Sequence, residues 1–246
     1  MYNFFVTAPA DGESVYKIYG SDYNHVKNVL RLGIGDTILV SFSGSSDLCE
    51  IVEFSDCEVI VKIVQKDYQD TSLPIGIHLF QGLPKSDKLE LIIQKAVELG
   101  AESITPVETS RSIVKIEEKK KKSKLERWQA IAESAAKQSK RTLIPEVKQV
   151  LSFKVAVETL KNFDLILIPY ENHKGMLSTA NALKEIKSGM NVAVFIGPEG
   201  GFSEDEVAAV IKVGGKSISL GKRILRTETA AVTAIAMLML HSELNF

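Results

Sequence analysis

The sequence predicts an α/β protein in two parts: a small β-barrel-like domain over residues 1–70 and an α/β domain with a mostly parallel sheet over residues 71–246. Three observations carry this. Short runs of β-branched and apolar residues dominate the first part. From residue 75, strand-length apolar runs alternate with helical periodicity, the pattern of a parallel sheet covered on both faces. Between the two parts, Asp67–Pro74 is polar, ends in proline and reads as a linker.

In the first part the strands are Asp36–Phe42, Leu48–Phe54 and Glu58–Val64, with Ser55-Asp56 turning between the last two. A helix fits Asp22–Leu32, with Val26, Val29 and Leu30 on one face. Gly33-Ile34-Gly35-Asp36 ends it and leads into a strand. In the second part the strands are Ile75–Gln81, Ser103–Val107, Glu146–Val150, Asp164–Pro169, Val192–Gly197 and Ser217–Leu220. The helices are Ser86–Leu99, Lys124–Lys140, Phe153–Leu160, Met176–Ile186, Glu204–Val213 and Thr229–Leu240. The last of these is apolar almost all round, so it should be buried on most sides, either in the core or against a second subunit.

A chain of 246 residues, 45% hydrophobic and 25% charged, is a soluble globular protein with a sizeable core. No apolar run has the length of a membrane helix, and the N-terminus lacks the pattern of a signal peptide. A cytoplasmic location is expected. Cys49 and Cys57 lack metal-ligand spacing and read as packing residues in a reducing compartment, so neither a disulfide nor a metal site is expected. The net charge of −1 hides an asymmetry. Residues 1–70 hold eleven acidic against five basic side chains, whereas residues 111–144 hold eleven basic against four acidic. The basic stretch, centred on Lys119–Lys124, fits either a polyanionic partner such as RNA or an ordinary solvated surface.

Two turns near the C-terminus carry the chemistry. Val192–Ile196 is a near-continuous apolar run, and Gly197-Pro198-Glu199-Gly200-Gly201 follows at its carboxyl end, where ligands bind on such sheets. Proline fixes one backbone angle, and the glycines let a ligand approach the main chain. Ser203 to Glu206 has capping-box spacing, so a helix starts there. The second turn, Gly221–Arg226, follows a strand ending at Leu220. Neither turn has the G-x-G-x-x-G pattern or a P-loop lysine. The acidic start of the following helix disfavours phosphate. A zwitterionic or cationic ligand fits better.

At these turns the chain resembles a known family. Ile196-Gly197-Pro198-Glu199-Gly200-Gly201-Phe202 and Leu220-Gly221-Lys222-Arg223-Ile224-Leu225-Arg226-Thr227-Glu228-Thr229-Ala230 resemble motifs of the SPOUT superfamily of knotted methyltransferases. Within it, they resemble the bacterial small-subunit ribosomal RNA uridine-N3 methyltransferases (the RsmE family). His25 with Val29-Leu30-Arg31 and Gly35-Asp36 matches as well. So do Pro84-Lys85 with Asp87-Lys88, and Gln94-Lys95-Ala96 with Glu98-Leu99-Gly100. Glu126-Arg127-Trp128 with Gln138-Ser139 and Arg141 completes a set that covers nearly the whole chain. One departure is Lys222, where the family commonly has proline.

The resemblance implies a PUA-like N-terminal RNA-binding barrel and a C-terminal SPOUT domain with a deep trefoil knot. It implies a homodimer, S-adenosylmethionine as cofactor, and 16S ribosomal RNA, within the small ribosomal subunit, as substrate. It places the cofactor among Pro169, Tyr170, Ile196, Gly197, Pro198, Gly200, Gly201, Leu220, Gly221, Ile224, Leu225, Thr227, Thr229 and Ala230. Methylation at N3 of uracil requires loss of a proton. Arg226 is assigned to stabilise the anion on the ring oxygens, because arginine is a poor base. Glu199, Glu171 and Glu228 are the candidate bases. For RNA, the expected phosphate contacts are Lys27, Arg31, Lys85, Lys88, Arg111, Lys137, Lys140 and Arg141. His25 and Trp128 are read as structural. The rival readings are a SPOUT enzyme with another RNA target, and an RNA-binding ribosome-assembly factor without catalysis.

Overall fold

The computed structural model describes residues 1–9, 14–170 and 175–246. Contacts divide the chain into two units: Met1–Ser72 with Ala136–Ile144, and Leu73–Ala135 with Pro145–Phe246.

The first unit is built on β1 (Asn3–Phe5), β2 (Val15–Tyr19), β3 (Thr37–Phe42), β4 (Ser45–Phe54) and β5 (Glu58–Gln69). They form one open sheet in the order β1-β3-β4-β5-β2, antiparallel except for β1 against β3. It is a curled half-barrel rather than a closed barrel. β1, of three residues, is too short to show alternation; β2 alternates at Tyr16 and Ile18 but lies outside the strands expected. β5 runs into the first three residues of the expected linker, to Gln69. The expected helix is two pieces, α1 (Gly20–Asn24) and a wide turn at His25–Val29. Alternate residues of the strands, among them Ile38, Val40, Cys49, Ile51, Val59 and Val61, make the core with Phe4 and Val26. Tyr16 donates to Asp47 within it at 2.8 Å. Burial, then Asp47, push the Cys49 thiol up to about 12, so it packs as a neutral group. Cys57, by contrast, is exposed, against its reading as a packing residue.

Residues 136–144 are knitted into this unit. The Asn3 amide donates to the Arg141 carbonyl at 2.9 Å, and Lys137 pairs with Asp22 at 2.8 Å.

The second unit holds β6 (Gly76–Gly82), β7 (Ser103–Glu108), β8 (Glu146–Val147), β9 (Leu151–Ser152), β10 (Leu165–Pro169), β11 (Asn191–Ile196) and β12 (Lys216–Ile218). They form one parallel sheet in the order β12-β10-β11-β6-β7-β8, with β9 also on β7. Because every ladder is parallel, the loops after β6, β7, β10, β11 and β12 leave the same edge. That shared edge positions the site.

The helices are α2 (Lys88–Glu98), α3 (Glu118–Gln138), α4 (Phe153–Leu160), α5 (Leu177–Leu183), α6 (Glu204–Lys212) and α7 (Thr227–Asn245). α3 starts earlier than expected and takes the lysine run into its first turns. Under the sheet, Phe195 meets Phe80 at 5.8 Å, stacks on Phe153 at 5.8 Å and takes Phe202 edge-on at 5.0 Å. α7 is buried along Ala231, Ala234, Ile235, Leu238 and Ser242, the spacing of one helical stripe. Over Thr229–Leu240 only Thr229 and Leu240 are exposed and the rest is buried or half-buried, as expected; Leu244, beyond that span, is exposed as well.

Candidate functional site

A cavity of about 470 Å³ opens among the loops after β10, β11 and β12, together with the starts of α2 and α7. Its walls are largely main chain and apolar side chain. Ile196, Phe202, Leu220, Ile224 and Leu225 supply the apolar surface. Gly201 (φ 65°) and Gly221 (φ 112°) turn the two loops through the left-handed region, which favours glycine. A Cβ on Gly201 would meet nothing within 4 Å, so its backbone conformation rather than crowding is what requires glycine there.

The loop after β11 is tied from several sides. Thr227 donates to the Gly197 carbonyl at 2.6 Å and accepts from the buried Gln81 amide at 2.9 Å. One pair of side chains thus joins the ends of β6 and β11 to the start of α7. Gly82 lets the loop come close: a Cβ there would lie 2.6 Å from Pro198 Cδ. The Arg111 guanidinium donates to the Gly200 carbonyl at 2.9 Å. Glu206 closes the predicted capping box with Ser203 and also accepts from the Ser110 amide at 2.7 Å.

Glu199 is held as an ion. Its carboxylate lies 2.9 Å from Lys88 Nζ and accepts from the Lys85 amide at 3.1 Å. Burial pushes its pKa up, but the hydrogen bonds and charge of Lys88 outweigh this and hold it below the usual carboxylate value. The hydrogen bond to Glu199 in turn raises Lys88. A carboxylate so engaged is a weak proton acceptor.

The loop after β12 starts with a buried exchange: Thr179 donates to the Ser219 carbonyl at 2.7 Å and accepts from the Ser219 amide at 3.0 Å. It then runs exposed through Lys222, Arg223 and Ile224 to Arg226. Arg226, extended in backbone, precedes the first turn of α7 and lines the cavity.

The cavity thus gathers Pro169, Tyr170, Ile196, Gly197, Pro198, Glu199, Gly200, Gly201, Leu220, Gly221, Ile224, Leu225, Arg226, Thr227 and Ala230. Thr229 is not among its lining residues. Two residues after Thr227 on a helix, it faces about 200° away. Glu171 lies outside the described residues. Lys88, read from sequence as an RNA contact, lines the cavity instead, as do Phe202, Ser219, Lys222 and Arg223. The Lys88 contact joins residues 111 positions apart and left no local signal.

Of the other basic residues, Lys85 and Arg31 are exposed, and exposed Lys27 donates to the Tyr23 hydroxyl at 2.6 Å. Arg111 is exposed and binds the loop after β11. Arg141 is 7% exposed and is not a surface charge. Lys137 is paired with Asp22, and the Lys140 carbonyl accepts from Thr71. Burial engages the Arg141 side chain and the Asp22 pair engages that of Lys137, whereas at Lys140 the contact is made by the backbone carbonyl.

The chain matches a family model described as an RNA methyltransferase domain over residues 71–239. It is 38% identical to the ribosomal RNA small subunit methyltransferase E of Bacillus subtilis, covering 93% of this chain and 91% of that one. It is 34% identical to the protein of the same name from Mesomycoplasma hyopneumoniae, covering 94% and 96%. A crystal structure of the Neisseria gonorrhoeae ribosomal RNA small subunit methyltransferase E, bound to S-adenosylmethionine, superposes with a TM-score of 0.84 at 29% identity. It covers 98% of this chain and 97% of that one.

Proposed function

The chain belongs to the ribosomal RNA small subunit methyltransferase E family, and we propose on that footing that it methylates N3 of a uridine in 16S ribosomal RNA, with S-adenosylmethionine as donor. The observation that carries this reading is the cavity. At about 470 Å³ it falls in the size range of small-molecule sites. Its apolar side chains suit adenine, and its glycine-lined turns offer main-chain groups at close range. The acidic start of α6, at Glu204, Asp205 and Glu206, disfavours a phosphorylated ligand.

S-adenosylmethionine, when bound, supplies the activated methyl group. The chain's own residues do the rest. Ile196, Leu220, Ile224 and Leu225 wall the adenine, and the main chain from Gly197 to Gly201 and at Leu220 holds the polar edge. Transfer is an in-line displacement, so fixed walls supply much of the rate. Arg226 stabilises the negative charge that develops on the uracil oxygens as the N3 proton passes to solvent water. Glu199 is engaged by Lys88 and serves position rather than proton transfer. RNA phosphates are held by exposed cations. Arg31, Lys27 and Lys85 are among them, and Lys119, Lys120, Lys122 and Lys124 of α3 fit the same role.

The α/β fold with a mostly parallel sheet is consistent with the SPOUT architecture, and we assign the trefoil knot to the loops around the cavity. The half-barrel is assigned the PUA-like role in RNA binding. A homodimer is proposed through the outer face of α7, where Leu240 is 52% exposed, with Leu91 of α2 45% exposed. No helix among the described residues is long and apolar enough to cross a membrane, and a cytoplasmic site of action is proposed.

The test is mass spectrometry of small ribosomal subunits from a deletion strain after incubation with the protein and S-adenosylmethionine. A methyl group on N3 of one uridine is expected. A methyl group on ribose or on another RNA would replace the substrate assignment. No transfer at all would favour a non-catalytic RNA-binding factor.

A further inference from the structure

Lys88 stands where three segments meet. Its Nζ lies 2.9 Å from Glu199, on the loop after β11, and 3.4 Å from Glu228 Oε2, in the first turn of α7. The three side chains are 30%, 29% and 17% exposed, so none is a freely solvated surface charge. Glu228 Oε2 is buried and makes no hydrogen bond by geometry, which leaves the Lys88 ammonium as the charge that offsets it. Two of these segments, the loop after β11 and the start of α7, are joined a second time through Gly197 and Thr227, with Gln81 at the end of β6. Charge and hydrogen bonding therefore pin the same loop from two places.

The charge count at this corner is uneven. One ammonium faces two carboxylates, so one negative charge is in excess. Lys88 and Glu199 line the cavity, and Glu228 lies against Lys88. The other charged lining residues, Lys222, Arg223 and Arg226, are exposed cations of the loop after β12. A sulfonium methyl donor carries one more positive charge than the thioether it becomes. A locally acidic corner stabilises the first over the second.

We propose that Lys88, Glu199 and Glu228 form a charge clamp that positions the loop after β11 and favours the cationic methyl donor over its neutral demethylated product. The proposal rests on the S-adenosylmethionine reading above. Lys88 and Glu228 are positioning residues in this scheme, acting through Glu199 and through the field they leave at the cavity.

Calorimetry on the full chain, with S-adenosylmethionine and S-adenosylhomocysteine as the two probes, tests it. Binding of S-adenosylmethionine by the unmodified protein tests the underlying reading, and absence of binding overturns that reading itself. Given binding, Glu228→Gln removes the excess charge and should lower the preference for the methyl donor about threefold. Lys88→Met should weaken both ligands about tenfold while raising that preference, because Glu199 at the cavity wall and Glu228 behind it then lose their shared cation. Lys88→Arg should restore both values. If Lys88→Met does not melt cooperatively, Lys88→Gln takes its place. A preference that moves in neither variant overturns the clamp, even where both affinities fall together, since a purely structural role weakens both ligands alike.

Discussion

The two loops that wall the cavity are held in opposite ways. The loop after β11 is fixed by Gln81 and Thr227 on Gly197, by Arg111 on Gly200 and by Lys88 on Glu199. Phe202 then seats its end in the aromatic core. The loop after β12 is fixed at its start by Thr179 and at its end by α7. Between those points Ile224 lines the cavity yet is 85% exposed. Polar groups paired within the protein make a wall that is ready before a ligand arrives. An exposed apolar side chain gains only when something covers it. The first loop is therefore preorganised, and the second completes its packing on the ligand.

The largest effect should come from the residue at the end of the adaptable loop. Arg226→Ala should lower kcat about 10²- to 10³-fold at saturating RNA and cofactor, with cofactor affinity little changed. Near-normal turnover would remove Arg226 from the chemistry. Loss of cofactor binding instead would make it part of the wall.

The fixed loop breaks next. Gly82→Ala brings a Cβ to 2.6 Å from Pro198 Cδ and 2.7 Å from the Pro198 backbone nitrogen. Overpacking of this kind should cost about 1–3 kcal/mol, read by urea unfolding, and cofactor affinity should fall with it. Unchanged stability would mean that the loop yields and is not rigid.

On the second loop the same scale of change should leave stability alone. Ile224→Ala should shift unfolding by less than about 0.5 kcal/mol, as for an exposed site. Cofactor affinity should nonetheless fall several-fold, because the wall that closes on the ligand is gone. A large loss of stability would show that Ile224 is already packed in the free protein.

Acid should separate the loops most gently. The Glu199 carboxyl is pushed up by burial but held below its ordinary value by Lys88 and the backbone. A carboxyl with a lowered folded value contributes stability above about pH 4.5, and that contribution is lost as pH falls through the lower value. Amide-exchange protection of residues 197–202, followed from about pH 6 to about pH 3, should drop before global unfolding. Residues 219–226 should show no such step, since that segment contains no carboxylate. A step shared by both loops would mean that they open together.

Much of this arrangement was legible in the chain. The parallel sheet followed from apolar runs alternating with helical periodicity, because burial on both faces leaves that trace. The glycines and the capping box at Ser203–Glu206 marked the turn after β11, because close approach and helix starts impose local residue types. The two motifs even supplied nearly all of the cavity lining. What the sequence could not determine was any pairing set by distance in space. Lys88 read as one more exposed lysine until the fold brought it against Glu199 and Glu228. Arg141 read as a surface charge until packing buried it, and α7 left its burying partners open until the fold set β6, β11 and α2 against it. Local backbone and patterning preferences act between near neighbours in the chain, so they are written there. Burial and charge pairing act through space, and only the tertiary structure decides which residues they join.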